Sequence, residues 1–348
     1  MSLAGFRAGV KAMLTISIRR SALAAALALS IAPAAGAADP APASACPTWF
    51  PDFSCDRAQR FDGFVMPGTS PFLFEEPFNT TGLYLWGVWH QFPDSSAFQG
   101  GDAGVVALAA RVAITERLSF IATKDGFMWA SPDNPILPHT SGLMDVAGGF
   151  KYAAVVMPEY QFILSPILRF QFPIGTRRVY QGNGSVAALP SLSVGKGFGD
   201  FHLLGDIGVF IPFNNSNASS MIWYNVHADY RVLPWLTPFV ELNGYSYVHD
   251  GNGNLPVRVN QATAGAIGVD RVDLNTAQGL LGTGGFEGLD VTNLGSRNVA
   301  SSTVITGAIG VRIPLPGNIS LSAAWEGPMT TTRYIVRQRV TTNLSYEF

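Results

Sequence analysis

The sequence predicts an all-β fold, a 12-stranded antiparallel up-and-down transmembrane β-barrel with short periplasmic turns, longer outer loops and an N-terminal plug-like extension. Three observations carry this. Only 13% of the 348 residues are charged, while aromatics reach 11% and mean hydropathy is +0.21; soluble domains carry about a quarter charged residues. Past the N-terminus no apolar run reaches the roughly 18 residues that a spanning helix needs. From Thr80 onward, apolar and polar residues alternate in segments of about ten, the period and length of membrane strands.

The first element is residues 1–37. Lys11, Arg19 and Arg20 form a basic n-region, SALAAALALSIAPA (21–34) is apolar, and Ala35-Gly36-Ala37 is an A-x-A cleavage site. A secretory signal peptide is expected. The alternative is an uncleaved anchor helix, for which the apolar run is short. Cleavage removes four of the 22 basic residues and none of the 24 acidic ones, leaving a net charge of −6. No basic patch for nucleic acid remains.

Residues 38–79 are a Pro- and aromatic-rich extension. Its Cys46 and Cys55 lie nine positions apart and are expected to pair in an oxidising periplasm. A metal pair is the alternative, with no His nearby. PGTSPFLFEEPFN (67–79) has too many prolines for a regular helix or central strand. It is also too apolar for a free linker, so it is expected to pack on, or inside, something larger.

Residues 80–348 form the barrel. Alternating segments are expected at 80–92, 103–113, 118–125, 143–155, 159–173, 186–195, 201–213, 221–232, 237–249, 300–313, 318–327 and 333–348. The connections after even-numbered segments are short: ITERL, VVMPEY, GKGFGDF, VLPWLTP and PLPGN. Most others are longer, such as 126–142 and 250–299. Outer-membrane barrels have this asymmetry between periplasmic turns and outer loops. Each segment has two faces. In 221–232, Ile222, Tyr224, Val226, Ala228 and Tyr230 oppose Trp223, Asn225, His227, Asp229 and Arg231. Aromatics stand near strand ends on the apolar face (Trp89, Tyr160, Phe172, Tyr230, Trp325, Tyr346), as membrane girdles would. A soluble sandwich also alternates, but the apolar row here is nearly free of charge, as lipid requires.

The chain ends TTNLSYEF, a strand pattern closing on a bare aromatic. This ending, the signal peptide and the twelve segments resemble Gram-negative outer-membrane β-barrel proteins. In that group a terminal strand ending in Phe is read by the barrel-assembly machinery, a role that the resemblance gives to Tyr346 and Phe348. PGTSPFLFEEPFNTTGLYLWGVW, TERLSFIATKDGF and FEGLDVTNLGSRNV further resemble the transporter-like barrels grouped with the "MetA-pathway of phenol degradation" family. That resemblance implies passive passage of hydrophobic or aromatic compounds through the outer membrane, and no catalytic residues.

The lumen rows carry the candidate site. A twelve-stranded barrel lies between those filled by side chains and those with a water channel. Charged lining residues are expected at Arg111, Lys151, Arg169, Asp206, Asp229, Arg231, Glu241, Arg312, Glu326, Arg337 and Arg339, with Asp145, Glu159, Arg333 and Glu347 on the same faces. They form either a space-filling lattice of ion pairs or a constriction that selects solutes. Arg333, Arg337 and Arg339 favour anions. Phe239, Tyr245 and Tyr247 share the lumen face and either line a path for aromatic solutes or fill space. Segment 38–79 and loop 250–299 are the candidates to stop the pore.

Two other classes are weighed. A structural or adhesive barrel would act through loops 126–142 and 250–299. An outer-membrane hydrolase needs a Ser activated by His, and His139-Thr140-Ser141 is the only H-x-S. No cofactor and no metal site is expected, since the His residues lack nearby ligands. The expected partners are outer-membrane lipid, the assembly machinery and a small solute.

Overall fold

The computed structural model describes residues 60–273, 276 and 287–348. The expected signal peptide and the Cys46–Cys55 pair lie outside the described residues. The alternation from Thr80 onward folds into one closed antiparallel barrel. Its strands are β1 (Gly82–Gln91), β2 (Gly101–Ala113), β3 (Leu118–Lys124, continuing as Gly126–Pro132), β4 (Thr140–Leu143, then Val146–Tyr152), β5 (Phe162–Phe172), β6 (Ala187–Phe198), β7 (Phe201–Pro212), β8 (Ser220–Tyr230), β9 (Thr237–His249), β10 (Thr303–Leu315), β11 (Ile319–Pro328) and β12 (Gln338–Glu347). Each strand pairs with its sequence neighbours. Strand β12 pairs with β1 from Gly82↔Glu347 to Gln91↔Gln338, so no edge is left unpaired in lipid.

Period two decides which side chains enter the barrel. On β8, Met221, Trp223, Asn225, His227 and Asp229 are buried, whereas Val226 is 49% and Tyr230 52% exposed on the outer wall. On β12, Arg339, Thr341, Asn343 and Ser345 face inward, and Leu344 and Tyr346 outward. The end of the chain is tied down: the Phe348 amide donates to the Thr81 carbonyl at 2.9 Å, and the Tyr346 and Phe348 rings stack edge-on at 4.8 Å.

Four segments depart from simple alternation. Residues 126–142, expected as an outer loop, are mostly strand: Gly126–Pro132 pairs with β2, and Thr140–Leu143 pairs back onto it. Asp125 interrupts the alternation between the two halves of β3, so the sequence pattern does not carry through into the hairpin. Strand β4 breaks at Met144–Asp145, where the Asp145 carboxylate accepts from the amides of Gly175 and Gly182 and from the Gln171 amide group. It therefore anchors the next outer connection. Residues 159 and 160, expected to open a strand, belong instead to a 3-10 turn, Pro158–Tyr160, that leaves Glu159 exposed. The last strand begins at Gln338 instead of 333. Ile335 and Val336 are consecutive buried residues, and Tyr334 is left-handed at φ 46°, which breaks the period before the strand starts.

Two segments enter the barrel from its ends. The first, from Arg60 to Thr81, starts and finishes at the end that carries the short turns. Near its start, Asp62 pairs with Arg231. At its end, Asn79 donates to the Thr115 carbonyl at 2.8 Å. Between these points the chain runs up the lumen, turns at Ser70 (φ 49°) with the Leu73 and Phe74 amides donating to the Ser70 carbonyl, and returns. The second is 287–299, the described end of the long outer loop. Leu289, Val291, Leu294 and Val299 are buried in the outer mouth. Earlier in that loop, Pro256–Arg258 pairs with Arg271–Asp273 around a short helix, Gln261–Ile267, capped by the Asn260 side chain.

Candidate functional site

The inward rows of neighbouring strands align their charges by register. On β2 to β5, Arg111 stands opposite Ile121, Ile121 opposite Gly149, and Gly149 opposite Arg169. Lys151 lies one pleat nearer the short turns, and Lys124 lies nearer the outer end. All four cations are buried, and they make one basic wall. On the other side, a single register row runs His227–Glu241–Ala308–Glu326–Arg339–His90 across β8, β9, β10, β11, β12 and β1. With Asp206 and Asp229 this wall is rich in carboxylates.

The N-terminal segment fits between these walls. Toward the basic wall it presents oxygen. Arg111 donates to both Glu75 oxygens, Nε at 2.7 Å and Nη2 at 2.9 Å, and Lys151 Nζ reaches Glu75 Oε1 at 2.9 Å and the Glu76 carbonyl at 3.0 Å. The Arg169 guanidinium donates to the carbonyls of Phe72 and Leu73 at 3.1 and 2.9 Å. Ser165 and Ser193 donate to the carbonyls of Pro77 and Glu75. Toward the acidic wall it presents hydrogen. The Gly68 amide donates to Glu241 Oε1 at 2.7 Å, and the Thr69 hydroxyl donates to Glu241 Oε2. Polar groups buried this deeply are costly unless paired, and the segment supplies the pairing on both sides.

Burial pushes the Glu75 carboxyl up, but Arg111 and Lys151 outweigh it and hold the group well below its ordinary value of 4.5. Glu75 is therefore a carboxylate in the docked segment.

The acidic wall also has partners of its own. His202 Nδ1 meets Asp229 at 2.7 Å, His227 Nε2 meets the other Asp229 oxygen at 3.1 Å, and His227 Nδ1 meets Glu241 at 2.6 Å. Further along, Asn243 donates to Thr69 and Glu326, and Thr306 also donates to Glu326. Asp206 accepts from the Trp223 indole at 2.5 Å. Among the described residues, no group of three or more His, Cys, Asp or Glu side chains has metal-binding geometry.

The outer mouth is closed by the second segment. Arg339 donates to Asp290 at 2.8 and 3.2 Å and lies 3.5 Å from Glu326. Its Nε donates to His90 Nδ1, whose ring Nε2 meets the Ile335 carbonyl at 2.7 Å. Glu287 accepts from the Ser219 hydroxyl and the Leu294 and Ser296 amides. Burial outweighs these donors and raises its carboxyl above the ordinary value.

Most of the expected lining residues come together here: Arg111, Lys151, Arg169, Asp206, Asp229, Glu241, Glu326 and Arg339 in the two walls, and Arg312 beside Ser345 at 2.7 Å. Two do not. Arg337 lies in the outer connection and pairs with Asp94, because the strand begins one residue later. Arg231 follows β8 at the periplasmic rim, where it pairs with Asp62 and Asp200. Arg333, from the same expected arginine row, is exposed. It borders a hollow of about 810 Å³ on the lipid-facing wall, beside Val240, Ile309 and Trp325.

The three aromatics line no open path. Phe239 is held between two glycines: a Cβ at Gly68 or Gly310 would stand 2.2 or 2.3 Å from its ring. Tyr245 donates to Ser70 and Tyr247 accepts from the Leu289 amide, so both hold the stoppers. The functional residues missed in the sequence are Glu75, Glu76, Thr69, Glu287 and Asp290. The pair in PFLFEEPF was the available signal, since two acids in an apolar run need buried cations. His139 and Ser141 are exposed and make no hydrogen bond to each other.

This geometry is shared with known proteins at the level of the fold. The crystal structure of an outer-membrane channel from Pseudomonas putida F1 superposes with a TM-score of 0.51 at 12% identity, covering 82% of this chain and all (100%) of that one. That likeness places the chain in the outer-membrane β-barrel class by fold. A NanC porin (TM-score 0.44, 9% identity, 76% of this chain and 98% of that one) and a KdgM porin in complex with disordered oligogalacturonate (0.39, 11%, 76% and 99%) are more distant. No family model and no curated protein matches the chain. The narrower grouping with phenol-degradation barrels rests on the three sequence segments alone.

Proposed function

We propose that the protein is an outer-membrane channel held shut by its own N-terminal segment, and that it passes small solutes passively once that segment withdraws. One observation carries this reading: the stopper is joined to the lumen by side-chain contacts and shares no strand pairing with it, and both its ends lie at the periplasmic rim. It can leave without breaking a barrel strand. The resemblance extends the reading to hydrophobic or aromatic solutes, while the charged walls support a polar one better. Tyr346 and Phe348 fit the address read by the assembly machinery, since both stand on the final paired turn of the barrel wall.

The test is conductance in planar bilayers. Thr69 and Asn243 touch at 2.8 Å, so Thr69→Cys/Asn243→Cys gives a lock between plug and wall. We expect a closed protein when oxidised, openings when reduced, and larger steady currents after deletion of 60–79. Silence of the wild type, the reduced lock and the deletion, with each migrating as a folded barrel, refutes the channel.

A further inference from the structure

The two walls differ in what would remain if the plug left. On the acidic wall the partners are fixed to strands: Glu326 keeps Arg339, Glu241 keeps His227, and Asp229 keeps His202. On the basic wall the two anions facing Arg111 and Lys151 belong to the plug itself, Glu75 at 2.7 and 2.9 Å and Glu76 at 3.9 Å from Arg111. Arg169 pairs with two plug carbonyls and, on the wall, with the Thr123 hydroxyl at 3.3 Å, faces no carboxylate within ion-pair distance, and its Nε has no partner although the side chain is 1% exposed. Lys124 donates to the Gln171 amide oxygen at 3.3 Å and sits 5.8 Å over the Phe72 ring of the plug. Withdrawal would therefore strip Arg111 and Lys151 of both mobile carboxylates and Arg169 of two carbonyls, with Asp145 and Asp206 the acids that neighbouring strands hold beside Lys124 and Arg169. Asp145 accepts from Gln171, and Asp206 accepts from the Trp223 indole through one of its two oxygens.

With the plug withdrawn these cations would face a water-filled lumen with no carboxylate in contact, a focused positive field that favours an entering anion over a neutral or cationic solute. We propose that Arg111, Lys151 and Arg169 form the solute-binding site of this channel, that the solute class is small organic carboxylates, and that Glu75 occupies the site as an internal stand-in. The proposal rests on the channel reading above. The geometry selects a carboxylate. Arg111 grips Glu75 through Nε and Nη2, one donor to each oxygen, the fork that matches a planar carboxylate, and Lys151 adds a third donor to the same group. A solute carboxylate in that position both displaces Glu75 and satisfies the cations, so the solute that is selected is also the solute that opens the pore.

The experiment uses the purified protein in planar bilayers under a KCl gradient, with sodium gluconate, inorganic phosphate or choline chloride added. Gluconate should raise the open fraction of the wild type about tenfold or more, and choline, a cation with no carboxylate, should not. Glu75→Gln/Glu76→Gln should open without gluconate and give a reversal potential of the anion-selective sign. Adding Arg111→Gln and Lys151→Gln should move that potential toward zero. Currents that are unselective or cation-selective, or a wild type that opens without responding to gluconate, overturn the carboxylate site and leave the channel standing. Phosphate as effective as gluconate overturns the carboxylate assignment in favour of a general anion site. A protein closed in every arm overturns both. The gluconate arm on the wild type decides the matter even where a variant does not fold.

Discussion

Arg339 is the residue on which closure of the outer mouth can be measured most directly. Its guanidinium is fully buried and faces Asp290 at 2.8 Å and Glu326 at 3.5 Å. Arg339→Met keeps most of the volume and strands two carboxylates in the interior. Removing one partner of a buried pair costs about 3–5 kcal/mol, which is roughly a hundred- to several-thousand-fold in an equilibrium constant. The cheapest relief is for Asp290 to leave, since Glu326 is fixed on β11 and Asp290 sits on a loop. The 287–299 segment should therefore undock while the barrel stays folded. Val291 is 3% exposed, so Val291→Cys can be labelled from outside only when the segment lifts. With a membrane-impermeant maleimide, the labelling rate should rise steeply in Arg339→Met. It should fall part of the way back in Arg339→Met/Asp290→Asn, where one stranded charge has been removed. A rate within about twofold of the parent in Arg339→Met would mean that packing of Leu289, Val291 and Leu294, and not the ion pair, holds the loop, and the argument from buried charge would be wrong.

Three other outcomes follow from the same contacts. Glu75 has a depressed pKa, so its contribution to plug docking is present above the ordinary 4.5 and is lost as pH falls through the lowered value. Glu287 has a raised pKa, so its contribution to loop docking is full below 4.5 and declines as pH rises through the raised value. Acid should thus loosen the plug and tighten the outer loop; spin labels at Asp62→Cys and Arg297→Cys should gain and lose mobility respectively, and movement in the same direction would contradict the assignment. Gly68→Val drives a branched side chain into the Phe239 ring, an overpacking cost of about 1–3 kcal/mol, and should raise channel opening in bilayers without lowering the barrel's urea midpoint. Removal of Phe348 should cut the folded, heat-modifiable protein in the outer-membrane fraction several-fold while refolding in detergent proceeds normally; equal cellular yield would argue against an assembly role.

The sequence alone determined the wall. Period two is a local property, set by the pleat, and a barrel in lipid enforces it with a steep penalty for outward charge. The inward placement of Arg111, Arg169, Glu241 and Arg339 could therefore be read residue by residue, as could the outward Leu344 and Tyr346. The reading failed where local rules yielded to tertiary contact: at Asp145, which left the strand to bind the loop 173–185, and at 334–337, where Ile335 and Val336 turned into the mouth and put Arg337 outside. Only the tertiary structure decided what fills the barrel. PFLFEEPF is too apolar to be a free linker, which points it inward, but it has no period, so nothing local says which wall residues it meets. Its position follows from charges more than thirty residues away in sequence, Arg111 and Lys151 on one wall and Glu241 on the other, which meet it only because closure of the sheet brings both walls round the same axis. Hydrogen bonds and ion pairs at that range are set by the closed topology, and so the wall was legible residue by residue, whereas of the stoppers the chain showed which segments they are and not the contacts that hold them.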